Sequence, residues 1–168
     1  MTDDLKWKAN TDNLIKRVYQ RLVILRNLST FNVPESDLVN IYKLYIRSVV
    51  KQSCVVWGSS ISLDESNAIE RTQKISLRII YLNKYNSYNH ALKISGLSTL
   101  AERRTQLSHR FAVKCTQNEK TKHMFPPNTK HTNVSTRSSE KYLVPFAYHE
   151  RLKNSAIPAM ARQLNKNK

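Results

Sequence analysis

Two glycines, Gly58 and Gly96, stand in a chain of 168 residues. Proteins ordinarily carry about 7% glycine, the residue that lets a backbone turn left-handed or approach a ligand closely. A phosphate-cradling loop, a dinucleotide-binding turn and a turn-rich β-sandwich each need more of it than this. Helices joined by short polar connections remain. The length allows one domain with extensions, or two small ones, and enough chain to bury a core.

Hydrophobic spacing locates those helices. Leu14, Val18, Leu22 and Leu25 share one face of a helix expected over 11–28. Pro34 is placed to open a second, expected over 34–53, with Leu38, Ile41, Tyr42, Tyr45, Val49 and Val50 as its apolar side. The plug Cys54-Val55-Val56-Trp57-Gly58 ends it, with Gly58 as a C-terminal cap. Ser62 and Glu65 have capping-box spacing and start a third helix, whose narrow stripe is Ile69, Thr72, Ser76 and Ile79/Ile80. A short helix is expected over 87–95. Thr99 and Glu102 form a second capping box that opens a long helix to about 119, with Leu100, Leu107, Phe111 and Cys115 as its inner face.

Beyond Thr121 the pattern changes. Pro126-Pro127 stops the helical spacing, 128–140 reads as a polar linker, and 142–164 regains Leu143, Val144, Phe146, Ile157 and Met160. That tail is placed to dock back on the bundle or on other protein. The expected fold is all-α: a bundle of three main helices over 11–82, a helical extension over 83–120, and a partly disordered basic tail over 121–168.

Charge narrows the choice of partner. Lys and Arg number 28 against 12 Asp and Glu, a formal charge of +16. Self-repulsion of that size is tolerated most easily opposite a polyanion; a basic surface kept for solubility, or a partner domain carrying the acid, is the other account. Lys43, Arg47 and Lys51 repeat every four residues without acidic partners at that spacing. Like charges so placed cost about a few tenths of a kcal/mol each, so the stripe reads either as phosphate contact or as a solvated face. Lys16, Arg17 and Arg21 on the first helix and Arg71, Lys74 and Arg78 on the third flank the apolar faces.

Catalytic and metal chemistry find little support. His109, Cys115, His123 and His131 fall in one window, but at no common zinc spacing, and Cys115 lies on an apolar face. Asp3-Asp4 and Asp64-Glu65 are adjacent pairs, at the chain start and inside a capping box, not a rigid set around metal ions. No Walker lysine, HExxH or GxSxG occurs. No catalytic residue, metal, cofactor or small-molecule ligand is expected. Tyr81, Tyr85 and Tyr88, interleaved with Asn and Lys, could stack bases, although core or turn packing is the commoner fate of such rings. Two cysteines make no disulfide framework and suit a reducing compartment. No apolar run approaches the roughly 18 residues that span a bilayer, so a soluble intracellular protein with no membrane partner is expected.

Taken in order, the segments resemble a known family. Asp3-Asp4-Leu5-Lys6-Trp7 precedes Arg21-Leu22-Val23-Ile24-Leu25-Arg26-Asn27-Leu28; then come Val33-Pro34 and Leu38…Ile41-Tyr42…Ile46-Arg47-Ser48-Val49. Val55-Val56-Trp57-Gly58, Ile69-Glu70-Arg71-Thr72-Gln73-Lys74…Leu77-Arg78-Ile79-Ile80 and Ala91-Leu92…Gly96-Leu97…Leu100…Glu102-Arg103-Arg104 follow. The order resembles the region just after the polymerase core of non-LTR (LINE-type, jockey-like) retrotransposon reverse transcriptases. Tyr142…Val144-Pro145…Arg151-Leu152-Lys153-Asn154-Ser155-Ala156-Ile157-Pro158 resembles the end of the same polyproteins. The resemblance implies a palm remnant over 1–10, a thumb-like bundle over 11–82 and a post-polymerase extension. In the family the thumb grips the template–primer duplex. The family's catalytic aspartates, in its Y/F-x-D-D motif, have no counterpart here, and neither does the zinc knuckle of some members. The resemblance therefore implies a non-catalytic fragment, a truncated copy or one half of a split reading frame, nuclear or cytoplasmic. Its partners would be an RNA–DNA hybrid or duplex, held by backbone phosphates, and the missing polymerase core. The basic residues of the first three helices that the stripe argument brings to that duplex are Lys16, Arg17, Arg21, Lys43, Arg47, Lys51, Lys74 and Arg78. A protein-packing domain, or a product without function, is the alternative.

Overall fold

The computed structural model describes residues 7–128 and 141–166. Lys6 and the residues before it, part of the expected palm remnant, and all of the polar linker after Asn128 lie outside the described residues. The described chain is helical: α1 (Lys8–Thr30), α2 (Glu35–Ile41), a π-helical segment (Tyr42–Ile46), α3 (Arg47–Lys51), α4 (Cys54–Trp57), α5 (Leu63–Tyr81), α6 (Tyr88–Ser95), α7 (Leu100–Gln117), α8 (Glu150–Lys153) and α9 (Ala156–Lys166). Among the described residues no strand forms beyond one isolated bridge, Pro127 to Tyr142. The chain divides into two units, one of residues up to 53 with 61–103 and one of 54–60 with the residues from 104 onward.

In the first unit α1 packs on α5. Thr11, Leu14, Val18, Leu22 and Leu25 are the buried residues of α1, the face expected from spacing with Thr11 added. The facing stripe of α5 is Ile69, Thr72, Gln73, Ser76, Leu77 and Ile80. Thr72 and Ser76 sit within it, and their hydroxyls donate to the carbonyls of Ile69 and Thr72, at 2.7 and 2.8 Å. Small side chains whose polar atoms turn back onto their own helix leave room for a close neighbour. Both ends of this helix pair are fixed locally. Ser62 Oγ accepts from Glu65 N at 3.2 Å while Glu65 Oε2 accepts from Ser62 N at 2.7 Å, the expected capping box. Ser29 Oγ donates to the Ile79 carbonyl at 3.1 Å, tying the last turns of α1 and α5.

The second helix differs from its expected form. Pro34 does stand at its N-cap, but the helix passes through the π segment before continuing as α3. One residue more per turn shifts the register, so Ile46 enters the core and Tyr45, expected inside, is 41% exposed on the flank. Ser53, in the left-handed region at φ 51°, turns the chain after α3. Gly58 is therefore not the cap of this helix. It follows α4, where an added Cβ would meet the Cys54 carbonyl oxygen at 2.4 Å. Gly96 does take the left-handed cap expected of glycine, at φ 62° after α6.

The helix α7 opens as its capping box predicts, with Thr99 N donating to Glu102 Oε2 and Glu102 N to Thr99 Oγ1, both at 3.2 Å. Its inner face is rotated from the expected one. Leu100, Arg104, Ser108, Ala112 and Cys115 are buried, Leu107 is half-buried, and Phe111 is 44% exposed. In the second unit Ala112, Cys115, Phe125, Met160 and Ala161 form the core, with Tyr142, Val144 and Leu164 against it. The tail thus docks within its own unit through Met160 of α9. Asn165 clamps it: Oδ1 accepts from Tyr142 N at 2.9 Å and Nδ2 donates to Tyr142 O at 3.0 Å. A side-chain amide here does what a neighbouring strand would do.

Candidate nucleic-acid interface

Of the eight expected phosphate-facing residues, Lys16, Arg17, Lys74 and Arg78 are exposed and Arg21, Lys43, Arg47 and Lys51 half-buried. They fall in three groups. Arg17 Nη1 donates to Gln52 Oε1 at 3.3 Å, and Arg21 donates to the Tyr45 carbonyl with its guanidinium 4.4 Å from the Tyr45 ring centre. This group bridges α1 to the flank of the second helix that the π turn exposes. Lys16 stands apart from these contacts on the same helix.

Lys43, Arg47 and Lys51, all half-buried, make the second group. Arg47 lies within electrostatic reach of Tyr42 and of Arg103 in the first α7 turn. Burial pulls its guanidinium below the ordinary arginine range; Tyr42 opposes that shift, and the like charge of Arg103 adds to it. Its Nε is buried without a hydrogen-bond partner. A cation so placed gains from an incoming anion more than an exposed one does.

The third group is on α5. Lys74 Nζ lies 5.2 Å from the Tyr88 ring centre and the Arg78 guanidinium 5.3 Å from that of Tyr85. Arg71 is exposed on the same helix. It belongs with this pair by its spacing of three and seven residues, a signal present in the sequence. The rings of Tyr85 and Tyr88 are half-buried under these cations and Tyr81 is buried, so packing claims them before bases could.

Beneath this surface runs a polar network. Tyr42 donates to Gln73 Oε1 at 2.6 Å; Gln73 Nε2 donates to Tyr88 Oη and to the Ser98 carbonyl, each at 3.0 Å. Tyr88 in turn donates to Glu70 Oε1, and the Glu70 carboxylate accepts from the backbone of Leu100 at 3.0 and 3.1 Å and from Ala101 at 3.3 Å. Glu70 thereby supplies a negative charge to the α7 N-terminus. Burial lifts both phenols well above the usual tyrosine range, for Tyr88 with the Glu70 carboxylate acting the same way. Sequence reasoning missed this network because Gln73 and Glu70 look like solvent-facing helix positions.

The ion pairs seen are Lys84–Glu35 at 2.7 Å, Lys122–Glu119 at 2.9 Å and Lys153–Glu150 at 2.8 Å. Among the described residues none of Lys16, Arg17, Arg21, Lys43, Arg47, Lys74 or Arg78 is paired with a carboxylate. The contacts of Arg17, Arg21, Lys74 and Arg78 are with rings, an amide and a carbonyl, which orient a cation without neutralising it.

Among the described residues no three His, Cys, Asp or Glu side chains gather as metal ligands, and His131 of the window noted above lies outside them. Cys54 and Cys115 are buried free thiols. No helix among the described residues is long and apolar enough to cross a membrane. No protein-family model matches the chain, and neither a curated protein nor a solved structure does.

Proposed function

We propose that this chain is the thumb and post-polymerase region of a non-LTR retrotransposon reverse transcriptase, non-catalytic in itself, holding template–primer nucleic acid through its phosphates. The observation that carries the reading is a set of seven cations that, among the described residues, pair with no carboxylate, four of them (Arg17, Arg21, Lys74 and Arg78) oriented by rings, an amide and a carbonyl. The order of motifs supports the family, and an all-α fold with basic helices suits a thumb. Such a region acts in the nucleus or cytoplasm, where the element's RNA and its target are met.

The mechanism would be backbone contact with little readout of sequence, and hence a steep dependence on salt. The test is fluorescence anisotropy of a labelled RNA–DNA hybrid across a salt series. Six phosphate contacts would weaken binding roughly a thousandfold between 50 and 200 mM salt. Arg47→Gln with Lys74→Gln and Arg78→Gln should lower the affinity and flatten the slope by about three contacts. No binding at low salt, or a slope unmoved by the triple variant, would sink the reading.

One observation favours a protein-packing role alongside it. Tyr19, Val23 and Ile24 on the outer side of α1, and Leu44 beside Tyr45, are exposed apolar residues. A surface of this kind suits a neighbouring domain, and in the family that neighbour is the polymerase core. Tyr19→Ser with Val23→Ser should abolish association with a separately produced core while leaving hybrid binding intact.

A further inference from the structure

The second unit carries aromatic residues where a folded chain ordinarily hides them. Phe146 is 85% exposed and Tyr148 88% exposed. They meet edge to face with centroids 6.1 Å apart, and the Tyr148 ring continues to His149 at 6.2 Å. The segment presenting them is not loose. Upstream, Tyr142 is held by the Asn165 amide and Leu143 N donates to the Pro126 carbonyl at 2.9 Å. Val144 packs on the core of the unit. Downstream the chain enters α8, where Lys153 N donates to the His149 carbonyl at 3.0 Å and the Lys153 carbonyl accepts from Arg162 Nη2 at 2.5 Å. A span fixed at both ends therefore offers its rings to solvent.

The surrounding charge identifies the occupant. Residues 141–166 contain Lys141, Arg151, Lys153, Arg162 and Lys166 against one carboxylate, Glu150, a net of +4 from five minus one. Protein-binding hot spots sit in well-packed, desolvated pockets; rings that stand almost wholly in solvent, in a segment of net positive charge, match a polyanion that also has flat faces to stack. Duplex bases are already stacked on each other, whereas unpaired bases are free to lie on a ring.

We propose that Phe146 and Tyr148, with the cations of this segment, form a stacking platform for single-stranded nucleic acid. The platform belongs to the second unit, and its binding does not depend on the cationic helices of the first unit gripping a duplex. Ring faces supply the short-range contact and the cations hold the phosphates, so binding tolerates any sequence.

The test compares a labelled single-stranded RNA 12-mer with a blunt RNA–DNA hybrid on the full chain and on Phe146→Ala/Tyr148→Ala. The double variant should lose roughly tenfold or more in affinity for the single strand, with hybrid binding changed less than twofold. Because both side chains are exposed, its thermal melt should match that of the parent. Tyr148→Trp should restore binding and show its emission quenched by the RNA, a signal of stacking that charge alone does not give. Unchanged single-strand affinity in the double variant, or an equal loss on strand and hybrid, would overturn the platform. So would loss of self-association or protein capture with RNA binding untouched.

Discussion

At the scale of single residues, the first unit depends on polar atoms that hydrophobic spacing never marks. Gln73 is fully buried, at 0% exposure, yet its amide joins Tyr42, Tyr88 and the Ser98 carbonyl. A buried donor or acceptor left without a partner costs about 1–3 kcal/mol, so Tyr42→Phe, which strands Gln73 Oε1, should destabilise by that amount in a denaturant titration. The network also sets a pH response. Burial raises the folded-state pKa of Tyr42 and Tyr88 above the ordinary value of 10.0. Above that pH the unfolded chain releases phenol protons that the folded chain keeps, so the stabilisation is full below about pH 10 and drains away as pH climbs further. Melting curves between pH 8 and 11 should show a steeper alkaline fall for the parent than for Tyr42→Phe/Tyr88→Phe. Parallel curves would mean the phenols do not govern it.

At the scale of elements, legibility followed how local the determining interaction is. Capping boxes are contacts between residues three apart, and both Ser62–Glu65 and Thr99–Glu102 formed where their spacing placed them. The apolar face of α1 was equally readable, because Leu14, Val18, Leu22 and Leu25 recur at the helical period over 23 residues of regular helix. In the second helix Leu38, Tyr42, Val49 and Val50 are buried as expected, and the departure lies at the π segment, where Ile46 replaces Tyr45. There the wider turn swaps which residue faces the core, a change that no spacing rule applied from the start of the helix can anticipate. In α7 the apolar residues are too few to fix a face, and the largest of them, Phe111, drew the reading away from Arg104 and Ala112. Among the site residues, the stripe of Lys43, Arg47 and Lys51 was legible as a repeat. The charge that acts on Arg47 was not, since Arg103 lies 56 positions beyond it in the chain. Local determinants also yield the cleanest energetic test. Ser62→Ala should cost about 1 kcal/mol, and Thr99→Ala a similar amount, each read as a lower denaturation midpoint at unchanged slope. Near-zero effects would mean the two helices are fixed by packing alone.

At the scale of the whole molecule, a charge of +16 acts on folding and on binding with opposite dependence on salt. Screening lengths shrink from about 30 Å at 0.01 M to about 10 Å at 0.1 M, so added salt relieves repulsion among the 28 basic residues and should raise the melting temperature of the free protein. The same salt weakens attachment to phosphates. A nucleic acid that binds only the folded chain adds RT ln(1 + [L]/Kd), about 2.7 kcal/mol at a hundredfold excess over Kd, or roughly 5–10 °C for a chain of this size. The two effects should cross. In low salt an RNA–DNA hybrid should raise the melting temperature by that amount, and the increment should vanish near 300 mM while the free protein has become more stable. A basic surface serving only solubility would give the rise with salt and no increment from the hybrid. The increment should also shrink in Arg47→Gln/Lys74→Gln/Arg78→Gln, whereas Phe146→Ala/Tyr148→Ala should leave it intact, because those rings meet unpaired bases and a blunt hybrid offers none.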